Sequence, residues 1–464
     1  MTAFLIAFLE NLCYNRLSGG ILMKNISDEF YKNSMKGYEK CCKNKVKRHA
    51  LSKSSIDSLV KSQDSTFNTN FAFRIDIKTL PCANQKNSGR CWIFAGLNVL
   101  REIIAQKCNM TNFELSQSYI AFYDKLEKIN YKMESFIKLI DSNPDYRTYS
   151  VLLNSGIEDG GQCDMFVIVV KIYGLVPQNV FKETFQSSNT RQLNNLINVE
   201  LRKFAAASQK LYKKYGIEKV RQLKDEMLEK FYYFLMNCYG KPVEKFDFEY
   251  VDKDGNYHCE ENYTPLSFFN KFIGDEINDY VSIINAPTKD KPFYETYTID
   301  FLGNVIGGKD IIHLNLPMER FKELVFKQIE NHEVVWFGCD CGKYAERDEC
   351  LWDVDLFDYK TPFDLDYMTS KEEALDYHIS TMDHAMVFTG VSLINGKPTK
   401  WKVENSWGQE KVNKGYYVMN DSWFDIYVYQ AVVNRKYLGE KELKAYESKV
   451  NVLKPWDPMG SLAK

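Results

Sequence analysis

The stretch CANQKNSGRCWIFAG, residues Cys82 to Gly96, places a glutamine six residues ahead of a cysteine, a small flexible run between them, and an apolar segment directly after. From Cys91 to Ile104 the apolar positions Trp92, Phe94, Ala95, Val99, Leu100 and Ile103 recur at helical spacing, which predicts a helix with Cys91 in its first turn. A thiol there faces unpaired backbone N–H groups and the positive end of the helix dipole, and both favour the thiolate. Such a thiol becomes a nucleophile once a base stands beside it.

The chain has six histidines, so each can be weighed. His49, His258, His332 and His378 lie in strongly polar runs, and His313 is flanked by apolar residues without a polar companion. His384 heads the apolar strand HAMVFTGVSLI, whose end would project the imidazole into a groove. Asn405 follows it by 21 residues, a hairpin-like return that can make the two strands neighbours. A carboxamide there can accept the second imidazole N–H and fix tautomer and orientation, and Trp407 can shield that bond from water. Gln85 completes the set. Acyl transfer puts negative charge on the former carbonyl oxygen, and the Gln85 amide with the Cys91 backbone N–H can donate to it; one such donor is worth around 3 kcal/mol in barrier. Gly89 lets the backbone approach closely before the helix.

Around these segments the chain reads as α+β. A second helix is predicted over Ser116 to Ile129 with Ser116 as its cap, and a third inside Gly156 to Pro177, where a glycine-rich loop feeds an apolar run closed by Gly174. Residues 190 to 240 are helical, with the stripe Val220, Leu223, Met227, Phe231, Phe234 and Leu235 serving core or subunit contact, and 241 to 315 are strands and loops. After a helix near Glu319 to Glu330 come strands at Val334–Asp340, His384–Ile394, Lys400–Gly408 and Lys414–Asn420. Helices lead and strands follow, which argues for a helical N-terminal half packed on an antiparallel, β-barrel-like C-terminal half.

Composition narrows the classes. At 464 residues with 45% hydrophobic and 26% charged side chains, the chain is neither disordered nor fibrous. Sixty basic against 62 acidic residues give no global electrostatic case for nucleic acid or a membrane surface. Twelve irregularly spaced cysteines suit a reducing compartment better than a disulfide scaffold. Cys339, Cys341 and Cys350 lack a second well-spaced pair and are read as core thiols, so no metal and no cofactor is expected. Residues Met1 to Met23 form a leader of unknown role: their apolar run Ala3 to Leu9 has no basic residue before it and ends at Glu10. No apolar run approaches the roughly 20 residues that cross a bilayer.

These motifs resemble a known family. NQKNSGRCWIFA is similar to the cysteine loop of papain-like peptidases, and DHAMVFTG with KVENSWG to their histidine and asparagine strands. ELSQSYIAFYDKLEK, EDGGQCDM, VENSWG and the terminal PWDPMGSLAK bring the chain closest to the bleomycin hydrolase and bacterial aminopeptidase C group. Papain-type enzymes place the histidine and asparagine roughly 130 to 150 residues after the cysteine. Here His384 lies 293 residues on, which calls for a large insertion at about 165–330 within a peptidase domain spanning 24–464, closed by an arm at about 455–464.

The resemblance implies Cys91 as nucleophile, His384 as general base and then acid, Asn405 as orienter and Gln85 as oxyanion donor. It implies that the backbone of Gly160 and Gly161 pairs with substrate, and that the C-terminus enters the groove, where Ala463 carries the working carboxylate once Lys464 is removed. It further implies a cytosolic cysteine aminopeptidase acting on peptides with free N-termini, assembled as a hexamer. The alternatives are an endopeptidase of the same chemistry, or an oligomeric scaffold that binds nucleic acid or peptide with incidental peptidase activity.

Overall fold

A computed structural model describes residues 23–67 and 70–463, so the expectations placed on residues 1–22 of the leader and on Lys464 lie outside the described residues. These form two units, one of residues 23–61 with Phe357–Asp366 and one of 62–356 with 367–463. Helices Asp28–Lys40, Cys42–Leu51, Ile56–Val60 and Lys360–Phe363 build the first. Ser27 and Ser55 cap two of them by accepting the N–H of Phe30 and Ser58. Of the four helices' side chains only Val60 is buried.

The second unit carries the chemistry. Helix α1 (Cys91–Lys107) buries Trp92, Phe94, Leu97, Leu100 and Ile104 and, less expectedly, Asn98 and Arg101. Helix α2 (Gln117–Lys138) starts where predicted, with Ser116 accepting the N–H of Tyr119, and continues well past Ile129. Helix α3 (Cys163–Tyr173) stops at Gly174, whose φ of +76° suits glycine and whose Cβ would fall 2.2 Å from the backbone of Pro265. The material between 190 and 240 resolves into α4 (Arg191–Tyr215) and α5 (Ile217–Tyr239), split at Gly216. On the predicted stripe Val220, Phe231 and Leu235 are buried, while Leu223, Met227 and Phe234 line an open cleft against Leu196 of α4. Helix Pro265–Phe272 was not foreseen from the residues, although Thr264 caps it and proline opens it.

Twelve strands join one sheet among the described residues. Its labelled strands are β1 (Tyr280–Ile284), β2 (Thr296–Ile299), β3 (His313–Asn315), β4 (Val335–Cys339), β5 (His384–Ile394), β6 (Lys397–Glu404), β7 (Tyr416–Asn420), β8 (Val428–Asn434) and β9 (Asn451–Leu453). Their order is β9-β2-β3-β1-β8-β4-β5-β6-β7, continued by Leu351–Trp352 and Ala345–Glu346. The four strands read from sequence are β4 to β7, consecutive antiparallel neighbours. Away from them the sheet is mixed, with β1 parallel to β3, β2 parallel to β9, and β7 parallel to Leu351–Trp352. Central strand β8 went unread because VYQAVVN is a nearly continuous apolar run buried on both faces, which carries no period-2 signal. Helix α1 packs on β5, and that contact brings thiol and imidazole segments together. No helix among the described residues is long and apolar enough to cross a membrane.

His313 on β3 is buried, with Nδ1 2.8 Å from Ser282 Oγ and Nε2 unpartnered. Burial lowers its pKa from 6.5 to about 4. The folded chain therefore keeps it neutral while the unfolded chain protonates it, so its contribution is present above pH 6.5 and is lost as pH falls toward 4. The cost is about 1.4 kcal/mol per pH unit within that window, about 3 kcal/mol in all. In urea unfolding from pH 7 to 4.5, His313→Asn is expected to flatten the fall of stability with acid by this slope relative to wild type. Parallel curves would show that His313 titrates alike in both states.

Candidate active site

Cys91 is the first residue of α1, and the loop before it is pinned from three directions. The Gln85 N–H donates to the Ser406 carbonyl (2.8 Å), and the Ser88 hydroxyl to the Gln85 carbonyl (2.6 Å). The Arg90 guanidinium reaches Ser88 Oγ (2.9 Å) and grips Glu183 at 2.9 and 3.0 Å. Asp159 takes the Gly89 N–H at 2.9 Å, and a Cβ on Gly89 would stand 3.0 Å from the Asp159 Cβ, which is why a glycine precedes the helix here. Burial works against the Asp159 charge, but Lys125 at 2.7 Å, with Thr190 and the Gly89 N–H, holds the carboxyl well below the usual range. The Trp92 indole donates to the Asp159 carbonyl (2.6 Å), fixing the side chain next to the thiol.

Across the groove, His384 begins β5 with Nε2 2.9 Å from Asn405 Oδ1, and the Trp407 ring stacks on the imidazole at 5.0 Å between centroids. The amide and the indole therefore meet the imidazole as the spacing and polarity suggested. Asn405 Oδ1 also takes the Ser406 N–H at 2.7 Å, so its oxygen is locked toward the ring. The Ser406 hydroxyl donates to Gln85 Oε1 (2.6 Å) while Gln85 Nε2 donates to the Ser88 carbonyl (2.5 Å). That pair of bonds orients the Gln85 amide, and Nε2 retains a second N–H. Ser406 was not singled out from sequence; its position between two chosen residues was the available signal.

The helix that Cys91 begins packs on the strand that His384 begins, and backbone N–H groups of Ala385, next to His384, and of Trp92 favour the Cys91 thiolate. Burial pushes the thiol up to about 12, those N–H groups pull it down, and Asp383 adds to the rise. Burial likewise pushes the His384 imidazolium down to about 4, with Asn405 acting against it. A lone charge on either group is thus disfavoured. Transfer of the thiol proton to an adjacent imidazole would create both charges together, each stabilised by the other.

Residues Pro458–Ala463 form a short 3-10 helix. Gln162, after the Gly160–Gly161 loop, donates to the Met459 carbonyl at 3.3 Å, and Ser461 donates to the Met382 carbonyl at 2.7 Å, two residues before His384. Lys291 holds Asp457 at 3.0 Å, and Arg147 covers the Trp456 ring at 3.7 Å. Gly160 and Gly161 are buried; Lys128 fixes the Gly160 carbonyl at 2.5 Å, and a Cβ on Gly161 would strike the Trp92 ring at 2.4 Å. Ala463 lines a cavity with Lys128, Lys132, Leu152 and Ile157. Cys339, Cys341 and Cys350 are buried core thiols, and no group of three or more His, Cys, Asp or Glu among the described residues is disposed to hold a metal.

A thiol at the N-terminus of a helix that packs on a strand bearing an amide-bound imidazole is the arrangement of a papain-like cysteine peptidase. A sequence profile of the peptidase C1-like family matches residues 25–460, and the chain belongs to that family. It is 41% identical over 444 residues to aminopeptidase C of Streptococcus thermophilus, covering 95% of this chain and 100% of that protein. It is 38% identical over 403 residues to bleomycin hydrolase of Gallus gallus, covering 85% and 89%. The crystal structure of PepW from Lactobacillus rhamnosis HN001 matches with a TM-score of 0.91 at 41% identity, covering 94% of this chain and 99% of that one.

Proposed function

We propose that this chain is a cysteine aminopeptidase that removes N-terminal residues from peptides through a thioester acyl-enzyme. Cys91 attacks the scissile carbonyl as His384 takes its proton; His384 then returns that proton to the leaving amine and activates the water that hydrolyses the thioester. Asn405 holds the imidazole, and Gln85 Nε2 with the Cys91 N–H receives the oxyanion. The backbone of Gly160 and Gly161 lines the path of the substrate. The observation that carries the aminopeptidase reading is the seat of the C-terminal arm, bonded to Gln162 on one wall and to Met382 beside His384 on the other. On this reading the arm limits how much of a peptide fits beyond the thiol, and a terminal carboxylate on Ala463, exposed by loss of Lys464, recognises the free α-amino group by a charge-assisted hydrogen bond. A cytosolic location and a hexameric assembly belong to the same proposal and follow from the resemblance.

The test compares a fluorogenic peptide with its Nα-acetylated form. A charge-assisted bond worth about 2 kcal/mol implies roughly thirtyfold lower kcat/KM for the acetylated peptide, and deleting Leu462–Lys464 is expected to remove that difference. Equal cleavage of both by the wild-type chain overturns the aminopeptidase reading and leaves an endopeptidase of the same chemistry.

A further inference from the structure

Four consecutive residues, Glu404 to Trp407, reach three parts of the site. Asn405 holds the imidazole, Ser406 the Gln85 amide, and Trp407 stacks on His384. Glu404 reaches the helix of the nucleophile: its Oε1 accepts from Asn98 Nδ2 at 2.8 Å and from an Arg101 guanidinium nitrogen at 2.7 Å. All of this is buried, with Arg101 2% and Glu404 1% exposed. The same Arg101 nitrogen also reaches the Leu80 carbonyl (3.2 Å), and Glu102, 3.6 Å from Arg101 Nε, takes the Leu80 N–H at 2.9 Å. The segment at Leu80, ahead of the Cys91 loop, is thereby tied into the same cluster.

We propose that Glu404 is a positioning residue, whose grip on Asn98 and Arg101 sets the axial seat of α1, and with it the Cys91 sulfur, against the Asn405–His384 pair. The inference rests on the catalytic roles proposed above. An ion pair taken out of water adds little net stability compared with apolar side chains of similar volume, since the loss of hydration offsets the attraction. What it adds is direction, because two hydrogen bonds onto one oxygen fix the helix to the strand end far more tightly than apolar packing. Glu404 itself lies within the sheet, paired with Val387 of β5 and Tyr416 of β7. Asn98 lies two helical turns after Cys91 on one rigid rod, so a slip at the clamp becomes an equal slip at the sulfur. A misplacement of about 1 Å costs about a hundredfold in rate.

Two variants separate positioning from stability. Glu404→Gln keeps the shape and an acceptor but loses the charge. The pair Arg101→Met with Glu404→Leu replaces the clamp by apolar contact. Each is measured for kcat and KM on an unblocked peptide, for the rate of Cys91 alkylation by iodoacetamide, and for its urea unfolding midpoint. Glu404→Gln is expected to lower kcat about tenfold with KM within about twofold, and to slow alkylation in parallel. The apolar pair is expected to unfold near the wild-type midpoint and still show the lowered kcat. Wild-type kcat and alkylation in Glu404→Gln, or their recovery together with stability in the apolar pair, overturns the proposal. Should the apolar pair fail to fold, Glu404→Gln decides alone. A wild-type chain that alkylates rapidly yet cleaves no peptide sinks the aminopeptidase reading instead, and the alkylation rates still judge the clamp.

Discussion

Cys91→Ala is expected to hydrolyse unblocked peptides about five orders of magnitude more slowly than the wild-type chain, with fold and substrate affinity retained. The substitution removes one sulfur from the first turn of α1 and leaves every backbone bond of the loop in place. Alanine is a good helix former, and the loss of a small buried group costs about 1 kcal/mol, well below the stability of a chain this size. What disappears is the atom that forms the acyl bond. The Gln85 amide and the backbone N–H groups remain and stabilise direct attack by water, which sets the residual rate. The measurement is a progress curve at high enzyme concentration, with affinity taken from inhibition of wild-type turnover by the inactive variant sequestering substrate. A variant retaining more than about one part in a hundred of the rate would place the nucleophile elsewhere. Cys339 and Cys341 sit on the neighbouring strand and the turn after it, so double replacement of these would then be the next step.

The parts of this site that could be read from sequence are those where one local rule decides. Helical periodicity from Trp92 onward placed Cys91 at a helix start, and the turn between His384 and Asn405 let two strands pair with their functional ends adjacent. The supporting shell obeys no such rule. Asp159 binds Gly89, Lys125 and Asn194 across gaps of 70, 34 and 35 residues, so only the folded chain makes it a hub. Arg101 and Asn98 carried no local signal of burial, yet both are buried because Glu404, more than 300 residues away, supplies their partner. The sheet shows the same division. The hairpin-like return between His384 and Asn405 marked β5 and β6 as strands, while buried β8 carries an apolar run with no such return and is indistinguishable from a core helix segment. The arm was legible only by resemblance, since four terminal residues read alone are a polar tail; its bonds to Gln162 and Met382 depend on where the two walls end.

His384→Ala tests the joint ionisation of thiol and imidazole, and its expected effect is second only to loss of the sulfur. Burial opposes a solitary thiolate at Cys91 strongly enough to push the thiol up to about 12. Without an imidazole to take the proton, the sulfur must ionise alone. Even if water entering the vacated space relaxes the thiol to its ordinary 9.0, only about one molecule in a thousand carries a thiolate at pH 6, and far fewer if the site stays dry. Alkylation of Cys91 by iodoacetamide at pH 6 should therefore fall at least about a thousandfold relative to wild type, and kcat by about ten-thousandfold, because the leaving amine also loses its proton donor. The pH dependence separates this account from simple disruption. In the variant the alkylation rate should climb tenfold per pH unit from 6 to 9, the signature of an isolated thiol. The wild-type rate should vary far less over that range, since the proton moves within the pair and not to solvent. If both proteins climb with the same slope, His384 does not serve the sulfur, and the ion pair beside Asn405 has no part in activating it.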